Sequence, residues 1–105
     1  MYTRNVSMQL KANCAPEFTR TLENEVIPML RKQKGFKDEI TLVAPERNEV
    51  VAISFWDRRE DAEAYNREKY PEILKTLSKV VEGTPRVESF EVANSTSHEI
   101  AAKAA

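Results

Sequence analysis

The chain has almost none of the cysteine and histidine that build transition-metal centres and covalent cross-links. Among its 105 residues there is one cysteine, Cys14, and one histidine, His98. A lone cysteine excludes a disulfide within the chain and a four-thiolate zinc site. A lone histidine leaves little to hold a transition metal, so no metal site is expected. An excess of one charge is also missing: 16 basic residues face 17 acidic ones, a net charge of -1, although 31% of the chain is charged. That balance makes no basic field for phosphate backbones and no polybasic stripe for an anionic bilayer, so neither nucleic acid nor a membrane is expected as a partner. The longest apolar stretch, around Val50 to Trp56, is far shorter than the roughly 20 residues of a membrane-spanning helix. The amino-terminal "MYTRNVSMQL" alternates polar and apolar residues, unlike the apolar segment of a secretory signal. These absences lead to the expectation of a reduced, cytoplasmic protein. The length is that of one domain, placed at residues 1–94, with 95–105 as a tail that forms a short helix or a mobile end.

What is present is a regular alternation of patterns. Val6, Met8 and Leu10 recur with a period of two, which reads as a strand with one buried face. "NCAPEF" follows, with Asn13 as a helix cap and Pro16 in the first turn, where the missing amide proton costs little. Phe18, Leu22, Val26, Met29 and Leu30 then form one apolar stripe at helical spacing, and Gly35 is a natural stop. Pro28 interrupts this helix; it deletes the bond to the carbonyl of Asn24 and is expected to kink it. "FKDEITLVA" and "EVVAISFW", joined by the polar turn "PERN", read as a hairpin.

The second strand of that hairpin is apolar on both faces, Val51, Ile53 and Phe55 on one and Val50, Ala52 and Trp56 on the other. "DRRE" reads as a capping arrangement, with Asp57 accepting from first-turn amides and Glu60 reaching back, followed by a short helix that turns Ala62 and Tyr65 inward. After a break near Pro71, a second stripe runs through Tyr70, Ile73, Leu74, Leu77, Val80 and Val81 and ends before Gly83; "RVESFEVA" is the last strand. The order β-α-β-β-α-β is that of an α+β ferredoxin-like fold, an antiparallel sheet with its helices on one face. Apolar residues on the uncovered face then call for a second copy, giving a symmetric homodimer through the sheet.

The alternating first strand, the helix "EVIPMLRKQKGF", the hairpin, and "FWDRREDAEAY" followed by "YPEILKTL" together resemble the antibiotic biosynthesis monooxygenase family, a branch of the dimeric α+β barrels, over residues 3–93. The resemblance implies a cavity between sheet and helices, and in catalytic members the oxidation of electron-rich aromatic or quinol-like molecules by dioxygen without metal, flavin or haem, so no cofactor is expected. Many members carry histidines nine and fourteen residues after the tryptophan that ends the third strand. Here those positions are Tyr65 and Tyr70. A tyrosine, with a reference pKa of about 10 against about 6.5 for histidine, is a poor proton acceptor at neutral pH but a competent hydrogen-bond donor.

Tyr65 and Tyr70 are therefore the candidate catalytic residues, with Trp56, Phe55 and Asn5 as candidate substrate-binding residues. Each also has a plain structural reading. Trp56 is more often core than ligand contact, and the alternation puts Val6, not Asn5, on the apolar face. Arg4 suits an anionic substrate group, although an exposed strand arginine is the ordinary explanation. Cys14 has no nearby histidine to act as its base, His98 reads as a solvated tail residue, and Glu60 and Glu63 form no carboxylate pair. A haem-degrading reading is disfavoured, because the second half of the broken helix contains no histidine. Two classes stay open, a cofactor-independent oxygenase and a dimeric ligand-binding or structural module without chemistry. A cavity of about 300 Å³ or more would favour the first.

Overall fold

The period-two pattern of the first strand and the two apolar faces of the third meet in one antiparallel sheet. In the computed structural model, which describes residues 1–98 and Ile100, β1 (Tyr2–Leu10), β2 (Phe36–Ala44), β3 (Glu49–Trp56) and β4 (Val81–Glu91) lie in the order β2-β3-β1-β4. The helical segments α1 (Ala15–Thr21), α2 (Ile27–Leu30), α3 (Arg59–Glu68) and α4 (Tyr70–Leu77) complete a ferredoxin-like α+β fold. Phe18, Leu22, Val26 and Leu30 from the first helical run and Ala62, Tyr65, Ile73 and Leu77 from the second pack against Val6, Met8, Leu10, Val50 and Trp56 of the sheet. Each such burial contributes about 1.5–3 kcal/mol for a large apolar side chain, which is why the helical stripes, rather than helix propensity, hold these segments in place.

Several local expectations change. Asn13 is not the helix cap: it takes a left-handed φ of 61°, and Cys14 occupies the cap position without a side-chain capping bond. Pro28 produces a wide π turn over Leu22–Val26, with the amide of Ile27 donating to the carbonyl of Leu22 five residues back. Asp57 does not cap α3. Arg58 stands at the cap position with no side-chain capping bond, and Asp57 pairs with Lys37 at 3.3 Å in solvent. The helical break, by contrast, falls where it was expected, at Lys69 just before Pro71, and Tyr70 opens α4. Val80 and Val81 do not extend the α4 stripe, because the helix ends at Leu77 and Val81 already belongs to β4. Both valines are buried all the same, and that is why they fit a helical stripe so well.

The pleat sorts every strand residue onto one of two faces. Cross-strand partners share a face, so Thr3, Phe55 and Phe90 lie together, as do Asn5, Ile53, Ile40 and Glu88. This second face has no helices over it. Ile40, Leu42 and Phe90 are 45%, 52% and 50% exposed, an apolar surface of the kind the sequence implied. Part of it is covered by the tail. His98 is only partly solvated: its Nε2 lies 3.2 Å from Oδ2 of Asp38, and its ring rests 5.3 Å from that of Phe55. Residues 96–98 form a bend and not a helix; the remainder of the expected tail helix, at 99 and 101–105, lies outside the described residues.

Both glycines have positive φ, but in different surroundings. At Gly35 (φ 78°) an added Cβ would collide with the buried carboxylate of Asp61, whereas at Gly83 (φ 67°) it would meet open space. Gly83→Ala should therefore cost only the left-handed strain, about 1–2 kcal/mol, and Gly35→Ala about 2–4 kcal/mol, because Asp61 must also move. Urea unfolding of the two variants gives the comparison, and equal losses would contradict the clash.

Candidate functional site

Arg4 is in phase with Val6, Met8 and Leu10, so the pleat that buries those residues turns its guanidinium beneath the helices. It is 3% exposed. Nη2 of Arg4 donates to Oδ1 of Asn66 on α3 at 2.7 Å. The guanidinium carbon lies 4.5 Å from the ring centroid of Tyr70 and 5.1 Å from that of Tyr65, within the range of cation–π attraction. The two tyrosine rings are 6.4 Å apart, inclined at 48°. Spacing explains the convergence: Tyr65 lies on the buried face of α3, and the break at Lys69 redirects the chain so that Tyr70 starts α4 beside it.

These side chains border a cavity of about 40 Å³ between sheet and helices, closed below by Val6, Met8, Ala52 and Ser54 and above by Leu22, Val26 and Leu30. Water needs roughly 10–15 Å³ of such space, so the cavity has room for about three heavy atoms. The expected volume of about 300 Å³ is not reached, because the aliphatic side chains of the helices fill the interior. Tyr70 contributes a buried hydroxyl with no hydrogen-bond partner among the described residues. Glu39 also lines the cavity, with Thr41 Oγ1 donating to its Oε2 at 2.7 Å.

Burial sets the protonation states. It pushes the Tyr65 hydroxyl far above its ordinary range and that of Tyr70 upward as well, against the opposing pull of the Arg4 charge. Both are neutral donors at pH 7. Burial also lowers the pKa of Arg4, but a guanidinium starts so high that it stays cationic. Glu39 is shifted up, by burial first and secondarily by Asp38, while the Thr41 hydroxyl pulls it down. A carboxyl moved toward neutrality is the group here best suited to take up and return a proton.

The other sequence candidates do not join this cluster. Trp56 is fully buried, and its Nε1 donates to Oγ of Ser54 at 2.9 Å; its ring packs edge-on against Phe36 and 5.0 Å from Tyr65, so it backs the tyrosine and does not line the cavity. Asn5 and Phe55, expected beside the substrate, point to the opposite face of the sheet, because each is one residue out of phase with the inward set of its strand. Oδ1 of Asn5 is buried there with no hydrogen-bond partner among the described residues. Sequence reasoning undervalued Arg4, although its parity with Val6 was visible, and passed over Glu39, which shares the inward face with Thr41 opposite the polar Ser54. Among the described residues, no group of three His, Cys, Asp or Glu side chains is placed to hold a metal, and no helix is long and apolar enough to cross a membrane.

Glu39 yields a signed expectation. A carboxyl whose pKa is raised by folding binds its proton more tightly in the native state, so stability is retained at low pH and falls as pH climbs from the ordinary carboxylate range through the raised value. Glu39→Gln should remove that fall, and urea unfolding of both proteins from pH 4 to pH 8 should show the variant gaining on the wild type as pH rises. Parallel curves would show that Glu39 ionises without penalty.

No protein-family model matches the chain, and no curated protein matches it in sequence. Solved structures do match. A protein from Nitrosomonas europaea described as an antibiotic biosynthesis monooxygenase is 14% identical, with a TM-score of 0.73 over 90% of this chain and 100% of that one. A monooxygenase of Streptomyces coelicolor, solved in complex with nanaomycin D, is 13% identical, with a TM-score of 0.75 over 90% of this chain and 88% of its own. A cofactor-independent oxygenase from Streptomyces nogalater is 14% identical, with a TM-score of 0.72 over 92% and 97% of the two chains. Identities this low speak for backbone architecture and leave the chemistry to the site. The chain has the fold of the antibiotic biosynthesis monooxygenases.

Proposed function

We propose that the chain is a cofactor-independent oxygenase of a small aromatic or quinol-like molecule, with Tyr65 and Tyr70 as hydrogen-bond donors and Glu39 as the proton acceptor. The observation that carries this reading is the buried, unpartnered hydroxyl of Tyr70 beside Arg4 and Tyr65 at a sheet-to-helix cavity. A donor held without a partner in a low-dielectric site is prepared for an oxyanion that forms during reaction. For a substrate with an activated methylene, the net change converts the methylene to a carbonyl; one atom of dioxygen becomes the carbonyl oxygen, and the other leaves as water with both methylene hydrogens. The first proton passes to Glu39, and the carbanion, delocalised as an enolate, faces Arg4 and the two hydroxyls. It gives an electron to dioxygen, and combination of the resulting radical pair forms a C–O bond. The peroxide regains its proton from Glu39 and loses water to leave the carbonyl.

One observation favours the second reading, a ligand-binding or structural module without chemistry. A cavity of about 40 Å³ does not admit a fused-ring molecule unless the joint between α3 and α4 at Lys69 opens. Dioxygen uptake separates the two readings. With a panel of quinols, flavones and anthrones, uptake is expected with at least one class, and Tyr65→Phe or Tyr70→Phe should slow it by about 10²-fold, the usual loss of one oxyanion donor. No uptake across the panel would put the module ahead.

The same reading includes a homodimer through the helix-free face, supported by the exposed Ile40, Leu42 and Phe90. Sedimentation at micromolar concentration should give about twice the chain mass, and Leu42→Glu should return it to monomer. A wild-type monomer would rule out the pairing.

A further inference from the structure

Among the described residues, no acidic side chain pairs with the guanidinium of Arg4, although Arg4 is only 3% exposed. Its side chain donates to a neutral carbonyl, Oδ1 of Asn66, and is otherwise surrounded by the rings and neutral hydroxyls of Tyr65 and Tyr70. Such rings attract a cation but carry no net charge. Glu39 lines the same cavity without pairing to it, and one oxygen of that carboxyl is already occupied by Thr41. A cation buried without a counter-charge is costly, and proteins retain one where a ligand supplies the missing charge.

Arg4 borders two separate spaces. The inner cavity, about 40 Å³, holds about three heavy atoms, the size of a carboxylate group. On the outer side, Arg4 also borders a surface depression of about 420 Å³ walled by Tyr2, Ala62, Glu63, Asn66, Val87 and Ser89, where the Glu63 carboxylate is paired with Arg59 at 3.2 Å. That volume lies within the range of about 300–1,000 Å³ in which small organic ligands bind. Tyr70 lines the inner cavity, and its hydroxyl is buried with no well-aligned hydrogen-bond partner among the described residues.

We propose that Arg4 is the anchoring residue for an aromatic carboxylic acid, whose carboxylate enters the inner cavity between the guanidinium and the Tyr70 hydroxyl while its ring lies in the outer depression against Tyr2 and Val87. This rests on the cluster being a ligand site, and not on the oxygenase chemistry. A planar fork of N–H donors suits a carboxylate, and a neutral amide of equal shape offers it only a weaker acceptor. An unpaired buried cation also implies that the ligand-free protein gives up stability for binding.

Titration of the full chain with benzoate and, separately, with its neutral analogue benzamide, at fixed ionic strength, reads the discrimination through the fluorescence of Trp56, whose ring is 5.0 Å from that of Tyr65. Benzoate is expected to bind at least about ten-fold more tightly. Arg4→Met should abolish that preference and raise the Tm of the ligand-free protein, since it replaces an unpaired buried charge by an apolar chain of similar length. Tyr70→Phe, which keeps the ring, should weaken benzoate by about ten-fold and leave benzamide unchanged; it serves as the test if the Arg4 variant does not fold. Equal or absent binding of the two probes by the wild type would overturn the proposal. So would an Arg4→Met variant that still prefers benzoate, or a Tyr70→Phe variant that binds it undiminished. Benzoate preference without dioxygen uptake would remove the oxygenase reading alone, and uptake without the preference would remove the anchor alone.

Discussion

The pleat of β1 decides which of its side chains face the helices, and with them the position of Arg4. Because successive side chains alternate, the residues that bury Val6 and Met8 under the helices also bury Arg4, and the strand cannot place Asn5 there without turning its apolar residues out. Once Arg4 is committed to the interior, its charge must be accommodated. The two tyrosine faces and Asn66 do so in part, which ties α3 and the start of α4 to the first strand. Trp56 supports the arrangement from behind: its indole N–H is satisfied by Ser54, and its ring sets the position of Tyr65.

Where the resemblance implies histidines, this chain has Tyr65 and Tyr70, and the proposed reaction would have to divide its proton transfers differently. An imidazole near neutrality both accepts and donates a proton; a buried phenol only donates. Burial moves Tyr65 and Tyr70 away from ionisation and moves Glu39 toward neutrality, so one environment separates donors from an acceptor. In the proposed reaction, roles that one residue type could perform alone would thereby be distributed over a strand and two helices.

The element order, the hairpin and the inward positions of Ala62 and Tyr65 were legible in the sequence because each rests on a local period. Capping was not, since Asn13 and Asp57 have suitable side chains but the backbone enters α1 and α3 one residue later than they require. The boundary at Val80 and Val81 failed for a different reason: both residues are buried, and burial alone does not distinguish the end of a helix from the start of a strand. Arg4 was misjudged by residue type although its phase was plain. Glu39 gave little local sign, because Ile40 and Leu42 beside it carry the apolar signal of β2 toward the helix-free face. The placement of His98 against Phe55 depends on the chain turning back over a sheet some 60 residues earlier, which no local pattern encodes.

The π turn over Leu22–Val26 has a geometric effect beyond accommodating Pro28. Phe18, Leu22, Val26 and Leu30 follow at intervals of four, and on a regular helix of 3.6 residues per turn each interval rotates the stripe by about 40°. Over three intervals Leu30 would be carried about 120° around the axis, off the core. All four are buried. The wider turn winds more slowly and takes back part of that rotation, acting as a phase correction that keeps a stripe written with period four aligned on a flat sheet. A chain that lost the extra backbone register here would bring Met29, rather than Leu30, over the cavity and place a more flexible side chain in its roof.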